Sequence, residues 1–161
     1  MSTRAMYSFY DPDGSCYHVY KHHDGYPTGA AEALANALTL AWPLPRYEAD
    51  EFAAAFVAAN KDTRGEIRLM PSGDWKDIAP LNLEYRYVIA PKKEKNQLER
   101  ILRMDQQIIV TCYSIHHIGF ISTTVPKEEQ GWKETKLFDA PLKPTAALMR
   151  KAEECEKDET P

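Results

Sequence analysis

Residues 4–21 of the chain, RAMYSFYDPDGSCYHVYK, decide how its N-terminal part folds. The segments 4–10 and 15–21 are rich in aromatic and β-branched residues, which favour strands. Between them, residues 11–14 read DPDG, in which the proline presets φ and the glycine can take a positive φ. The stretch therefore predicts a β-hairpin. Because both faces of its alternating strands carry large side chains, we expect both faces to be partly covered.

The rest of the chain shows further helix and strand patterns. Thr28 is a suitable N-cap for an alanine-rich helix that stops before Pro43, and apolar spacing predicts a second helix over 48–60. The other predicted elements are strands at 66–70, 83–90, 108–115 and 119–125, a strand or helical turn at 98–104, and a terminal helix at 143–157. This order predicts an α+β fold, with an antiparallel sheet and helices packed on one face.

The length of 161 residues predicts a single domain. We place its α+β core at 1–115. Residues 116–161 contain several prolines and few apolar residues, so we expect an extension with a short helix. This extension is expected to pack on the core or on a neighbouring subunit, and we expect a homo-oligomer.

Charge and composition exclude several classes of protein. Twenty basic against 24 acidic residues give a net charge of −4, which argues against binding nucleic acid mainly through its phosphates. Acidic residues are mixed with lysines through most of the chain, which argues against a DNA mimic. No apolar run approaches the roughly 20 residues of a transmembrane helix, and no signal-peptide pattern opens the chain. We therefore expect a cytoplasmic protein without membrane association.

The cysteines give no indication of a catalytic or metal site. Cys16, Cys112 and Cys155 are odd in number and form no CxxC pair, so a thiolate zinc site is not expected. The first two lie in strand-like segments and are expected to be buried, whereas Cys155 lies in a charged tail and is expected to be exposed. No GxSxG motif is present, and Cys112 and His116 would lie roughly 13 Å apart along a strand. The sequence favours a non-enzymatic protein with no catalytic residue and no cofactor.

The loop after the hairpin is the candidate ligand site. Gly25 permits a turn with positive φ, Pro27 stiffens the exit, and Gly29 allows close approach at the start of a helix, where free amides can bind an anion. The alternative is that these residues merely form a tight connection between strand and helix. The expected ligand-binding residues are Tyr20, Lys21, His22, His23, Asp24, Gly25, Tyr26 and Gly29.

Four of the five histidines form two adjacent pairs, 22–23 and 116–117, each at the end of a predicted strand. If those ends were neighbours, the imidazoles could join Asp24 in a His/carboxylate metal site. Adjacent strand residues point to opposite faces, so each pair offers at most one ligand to one site. The spacing therefore favours surface histidines over a metal site, and a metal-dependent hydrolase or phosphoesterase is the alternative function.

Residues 17–31, YHVYKHHDGYPTGAA, carry a Tyr-x-His-x-Asp-Gly-Tyr-Pro-x-Gly-Ala-Ala signature. Through this signature the chain resembles small uncharacterised proteins encoded by phages, prophages and bacteria. Those proteins open with a strand hairpin, and the signature then leads into a helix. The later strands LEYRYVI and IIVTCYSI are similar too, and the resemblance covers about the first 115 residues. Some of those proteins carry the label histidine kinase, but this chain lacks the glycine-rich ATP-lid pattern that such an activity requires.

The resemblance implies a phage-associated setting. We expect a non-enzymatic binding protein of phage type that acts on a host process, with anti-defence as one such role. Its expected partner is a host protein or a small anionic ligand such as a nucleotide, which it would sequester.

Overall fold

The N-terminal hairpin forms as the sequence predicts, with Tyr10 opposite Cys16 and Ala5 opposite Lys21. The computed structural model describes residues 2–62, 66–80, 82–92, 107–118 and 131–159. Its strands are β1 (Ala5–Tyr10), β2 (Cys16–Lys21), β3 (Ile67–Leu69), β4 (Tyr85–Pro91), β5 (Ile108–Ile118) and β6 (Gly131–Pro141). Its helices are α1 (Pro27–Leu38), α2 (Ala49–Asn60), α3 (Trp75–Ile78) and α4 (Thr145–Glu159). The predicted segments 98–104 and 119–125 lie outside the described residues.

The strands form one six-stranded sheet in the order β3-β2-β1-β4-β5-β6, and the protein is an α+β fold. The sheet is mixed rather than antiparallel throughout, because β1 and β4 run parallel at its centre. After β3, the segment 70–80, which contains α3, crosses one face of the sheet. It returns the chain to the end of the sheet at which β1 begins. As a result, Tyr85 at the start of β4 lies beside Ala5.

One face of the sheet, here called the helix face, is covered by α1, α2 and α4 and carries the main core. The Tyr7 ring of β1 lies 5.1 Å from that of Tyr87 and 4.4 Å from that of Phe56 on α2. Phe9 packs on the same helix at 5.6 Å from Phe52 and 5.5 Å from Phe56. Burial of each such ring contributes roughly 1.5–3 kcal/mol, so this aromatic layer is a major part of the stability.

The opposite face, here called the second face, is also covered, as the large side chains on both faces of the hairpin predicted. Its buried cluster consists of Met6, Tyr20, Trp75, Leu83 and Ile115. Trp75 belongs to α3, so the expectation that helices pack on one face alone was wrong. The reason is that strand alternation leaves apolar side chains on the second face as well, and α3 buries them.

The C-terminal part completes the same sheet. β6 pairs with β5 from Ile109 to Ile118, and α4 packs beside α1 on the helix face. The sequence predicted the terminal helix but not β6, whose many charged residues are typical of an edge strand. Cys155, expected to be exposed, belongs to the buried side of α4. No helix in the described ranges is long and apolar enough to cross a membrane.

Candidate functional site

The predicted ligand loop is tied to the core at Gly25. Its N–H donates to the carbonyl of Thr3 at 2.9 Å, and its own carbonyl accepts the Tyr87 hydroxyl at 2.6 Å. A Cβ at this position would come within 2.6 Å of the Cβ of Ala5. The close approach of the loop to β1 thus accounts for a glycine here without a ligand.

The second glycine of the loop is also explained by packing. Asp24 takes a left-handed conformation with φ 55°, and a Cβ on Gly29 would lie 2.2 Å from the Asp24 carbonyl oxygen. Thr28 is not the N-cap that the sequence predicted, because α1 begins two residues earlier, at Pro27, with Tyr26 as N-cap. Proline suits this first helical position because it has no N–H to satisfy.

The start of α1 already holds a carboxylate. Glu156 of α4 accepts hydrogen bonds from both the N–H and the hydroxyl of Thr28, each at 2.7 Å. An external anion at this amide would have to displace that carboxylate. The helix N-terminus therefore contributes to the contact between α1 and α4, and an anion site must be sought elsewhere in the predicted set.

Strand alternation divides the predicted residues between two sides of the sheet. Tyr20 and His22 lie on the second face, where the Tyr20 hydroxyl and His22 Nδ1 are 2.7 Å apart. Lys21 points the other way and lines a cleft between α1 and the end of α2. The eight residues therefore do not form one pocket.

The cleft on the helix side has a volume of about 290 Å³ and a polar lining of mixed charge. Its predicted members are Lys21, Asp24, Tyr26 and Gly29, and its other charged members are Glu32, Lys61 and Asp62. Burial lowers the pKa of Lys21, and the carboxylates of Asp24, Asp62 and Glu32 oppose this shift. With three carboxylates against two ammonium groups, this cleft does not favour an anion.

On the second-face side of the loop, two arginines lie near two histidines. We call Arg4, His22, His23 and Arg68 the basic cluster. Burial lowers the pKa of His22 most, and the charges of Arg4, His23 and Arg68 lower it further. Burial likewise raises the pKa of Tyr20, while Arg4 and Arg68 oppose the rise.

Two carboxylates lie at this cluster, and one of them, Glu84, accepts the backbone N–H of Arg4 at 3.0 Å. Glu66 forms an ion pair with Arg68 and lies 3.7 Å from His22 Nδ1. The rings of His22 and His23 meet edge to face, with centroids 4.7 Å apart. The arrangement combines guanidinium, imidazole and phenol donors, which are the groups that bind oxyanions.

The two histidine pairs do not converge. β2 and β5 are separated by β1 and β4, so the strand ends that carry the pairs lie three strand spacings apart, roughly 14 Å. His116 lies opposite Lys133, and the His117 ring meets Trp132 edge to face at 5.1 Å. Within the described ranges, no group of three His, Cys, Asp or Glu residues could hold a metal ion.

A buried polar cluster that the sequence analysis did not identify lies on the second face. Ser8 Oγ is 2.7 Å from His18 Nδ1, and His18 Nε2 is 3.1 Å from the Gly73 carbonyl. Since that carbonyl can only accept, Nε2 carries the proton and Nδ1 accepts the Ser8 hydroxyl. Arg86 Nε donates to Ser8 Oγ at 3.3 Å, and its Nη2 donates to the Tyr10 hydroxyl at 2.8 Å.

This cluster has the contacts of a nucleophile, a base and an orienting acceptor. However, Ser8 is 0% exposed and His18 is 4% exposed, so a substrate cannot reach them in this conformation. Cys16 Sγ lies 3.6 Å from His18 Nε2, but burial raises the pKa of the thiol and keeps it protonated. The cluster acts as a sealed hydrogen-bond network between the hairpin, β4 and the loop at Gly73.

Part of this network could have been predicted. A hairpin with the DPDG turn places Ser8 opposite His18 on one face. Arg86 could not have been included, because it joins them only through the parallel pairing of β1 with β4.

Comparison of the chain with protein family models, with curated proteins and with solved structures finds no match.

Proposed function

We propose that this protein is a non-enzymatic binding protein that takes up a small anionic ligand, such as a nucleotide, at the basic cluster. The observation that carries the proposal is the contact of His22 with both the Tyr20 hydroxyl, at 2.7 Å, and the His23 ring, at 4.7 Å. The charges of Arg4 and Arg68 act on both Tyr20 and His22. These residues include three of the eight that the sequence singled out, and the two arginines come from outside the loop.

The chemistry of the cluster favours a phosphate-bearing ligand. Guanidinium groups bind phosphate with two parallel hydrogen bonds, and such charge-assisted bonds are about twice as strong as neutral ones. Arg68 is exposed and forms an ion pair with Glu66. An exposed ion pair is worth about 0–1 kcal/mol, so an anion can replace Glu66 at little cost. The mixed charge of the neighbouring cleft would help to direct the ligand to the second-face side.

The biological setting of the proposal comes from the resemblance to phage and prophage proteins. Sequestration of a signal nucleotide is one way in which a phage protein acts on a host process, including a defence system. Binding of a host protein is the other partner class, and a cytoplasmic homo-oligomer remains part of the proposal.

Isothermal titration with ATP and with inorganic phosphate tests the site. The Arg4→Gln/Arg68→Gln variant should bind ATP at least about tenfold more weakly, since each charge-assisted bond contributes about 1.5–3 kcal/mol. The matched control is Arg150→Gln on the exposed side of α4, which should bind like the wild type. Raising the salt concentration should weaken binding of both probes.

Three results decide between the outcomes. Equal binding by the wild type and the double variant would show that the basic cluster is not the anion site. Binding of ATP but not of phosphate would assign the ligand to nucleotides. If neither anion binds the wild type at about 1 mM, the anionic-ligand proposal is wrong and a host protein becomes the partner to seek.

A further inference from the structure

A second cleft lies at the other end of α1, far along the helix from the predicted loop. It has a volume of about 580 Å³, which is in the range of small-molecule sites. Its lining is mainly apolar: Ala35, Leu38, Ala41, Trp42, Pro43, Leu44 and Pro144, with Thr39, Lys143 and Thr145 as the polar members. None of the eight ligand-binding residues predicted from the sequence lines this cleft.

The walls of this cleft are held in place by the fold. The Ala41 N–H continues the helix pattern to the Ala37 carbonyl at 2.9 Å, and the Trp42 N–H donates to Glu51 on α2 at 3.2 Å. Leu38 and Leu44 pack against the main core. A ligand would therefore meet a largely preformed surface, which lowers the entropic cost of binding.

The cleft offers an aromatic wall and a positive charge. The guanidinium of Arg46 lies 3.6 Å from the Trp42 ring centroid and supports the indole. Lys143 is exposed and has no ion-pair partner in the part of the chain that the structure describes. Lys143 is the one ionisable residue in the lining of the cleft. The nearby Glu51 carboxylate is not part of that lining and accepts the Trp42 N–H.

We infer that this cleft binds a small aromatic acid, with its ring on the apolar wall beside Trp42 and its carboxylate at Lys143. Charge complementarity selects an anion over a neutral or cationic molecule. The apolar lining selects an aromatic body, because an offset ring contact adds to the burial of apolar area. The ammonium of Lys143 stands at the edge of the cleft, where the carboxylate can stay partly hydrated.

Titration with 2-naphthoate, followed by calorimetry, tests this inference. We expect one molecule per chain. Ala35→Glu places a carboxylate in the wall and should weaken binding by more than about tenfold, whereas Ala58→Glu on the exposed side of α2 is the matched control and should have no effect. Lys143→Met should weaken binding about two- to fivefold, the range of a surface ion pair.

The neutral analogue 2-naphthalenemethanol separates charge from apolar contact. The wild type should bind this neutral analogue more weakly than it binds 2-naphthoate. The Lys143→Met variant should bind the neutral analogue as well as the wild type does. Binding of 2-naphthoate that survives Ala35→Glu, or that is matched by the neutral analogue in the wild type, would overturn the inference. So would the absence of binding at about 1 mM. The Arg4→Gln/Arg68→Gln variant should bind 2-naphthoate normally, so this test is independent of the proposed nucleotide site.

Discussion

The contact between Glu156 and Thr28 joins two helices that are 128 residues apart in sequence, and its loss should be measurable. In the Glu156→Ala variant, the Thr28 N–H and hydroxyl lose a shared carboxylate acceptor at 2.7 Å. A hydrogen bond to a charged group contributes about 1.5–3 kcal/mol, and the charge at a helix N-terminus adds about 0.3–1 kcal/mol. Since one oxygen accepts both bonds and water can reach this half-buried site, we expect a total loss of about 2–3 kcal/mol.

Urea unfolding of the purified variants measures this loss. The midpoint should fall for Glu156→Ala, with an unchanged slope. Glu154→Ala, an exposed glutamate on the same helix, should stay within about 0.5 kcal/mol of the wild type. Glu156→Gln retains an acceptor oxygen but no charge, so its unfolding midpoint should lie between those of Glu156→Ala and Glu154→Ala.

Equal stability of the Glu156→Ala and Glu154→Ala variants would contradict this expectation. It would then follow that the start of α1 is satisfied by water as well as by the carboxylate. The contact would in that case not hold α4 to the domain.

Three further predictions concern the hairpin face and the loop. Burial lowers the pKa of His18, so the unfolded chain takes up a proton near pH 6.5 that the folded chain excludes. The stability that His18 contributes is therefore present above that pH and lost as the pH falls. The loss is at most about 1.4 kcal/mol per pH unit. The His18→Gln variant should lack this part of the pH dependence when its unfolding by urea is measured. Gly29→Ala should destabilise by at least about 2 kcal/mol in the same assay, because its Cβ would lie 2.2 Å from the Asp24 carbonyl oxygen. An aromatic disulfide reagent should modify Cys16, which is half-buried, before Cys112, which is fully buried.

Each of these predictions has a result that would contradict it. Equal pH dependence in wild type and His18→Gln would mean that the imidazole is hydrated in the folded state. For Gly29→Ala, the control is Glu32→Ala on the exposed side of α1; a stability gain in both would show that helix propensity outweighs the clash. Faster reaction at Cys112 would place the buried sheet face in contact with solvent.

Much of the secondary structure is local and was predicted from local patterns. The DPDG turn and the alternation of residues 4–21 predicted the hairpin, and apolar spacing predicted α2 to within one residue. These predictions succeeded because the interactions that select a turn or an amphipathic helix lie within a few residues of each other. β6 was missed because an edge strand with many charged residues lacks that local pattern.

The candidate site was predicted only in part, for a related reason. The loop predicted after the hairpin connects β2 to α1 at residues 22–26, but the candidate site also included Tyr20 and Lys21 of β2. Strand alternation sends these two side chains to opposite sides of the sheet. The basic cluster needed Arg68, which reaches His22 only because β3 pairs with β2.

The sequence by itself determined most elements of this protein: an aromatic hairpin, two alanine-rich helices, three later strands and a terminal helix. The tertiary structure alone decided their neighbours, including the parallel contact of β1 with β4 that brings Arg86 to Ser8. It also decided that Glu156, not an external anion, occupies the start of α1. The physical reason is that strand order and helix docking depend on burying side chains from distant parts of the chain together, and no local pattern records which distant partners those are.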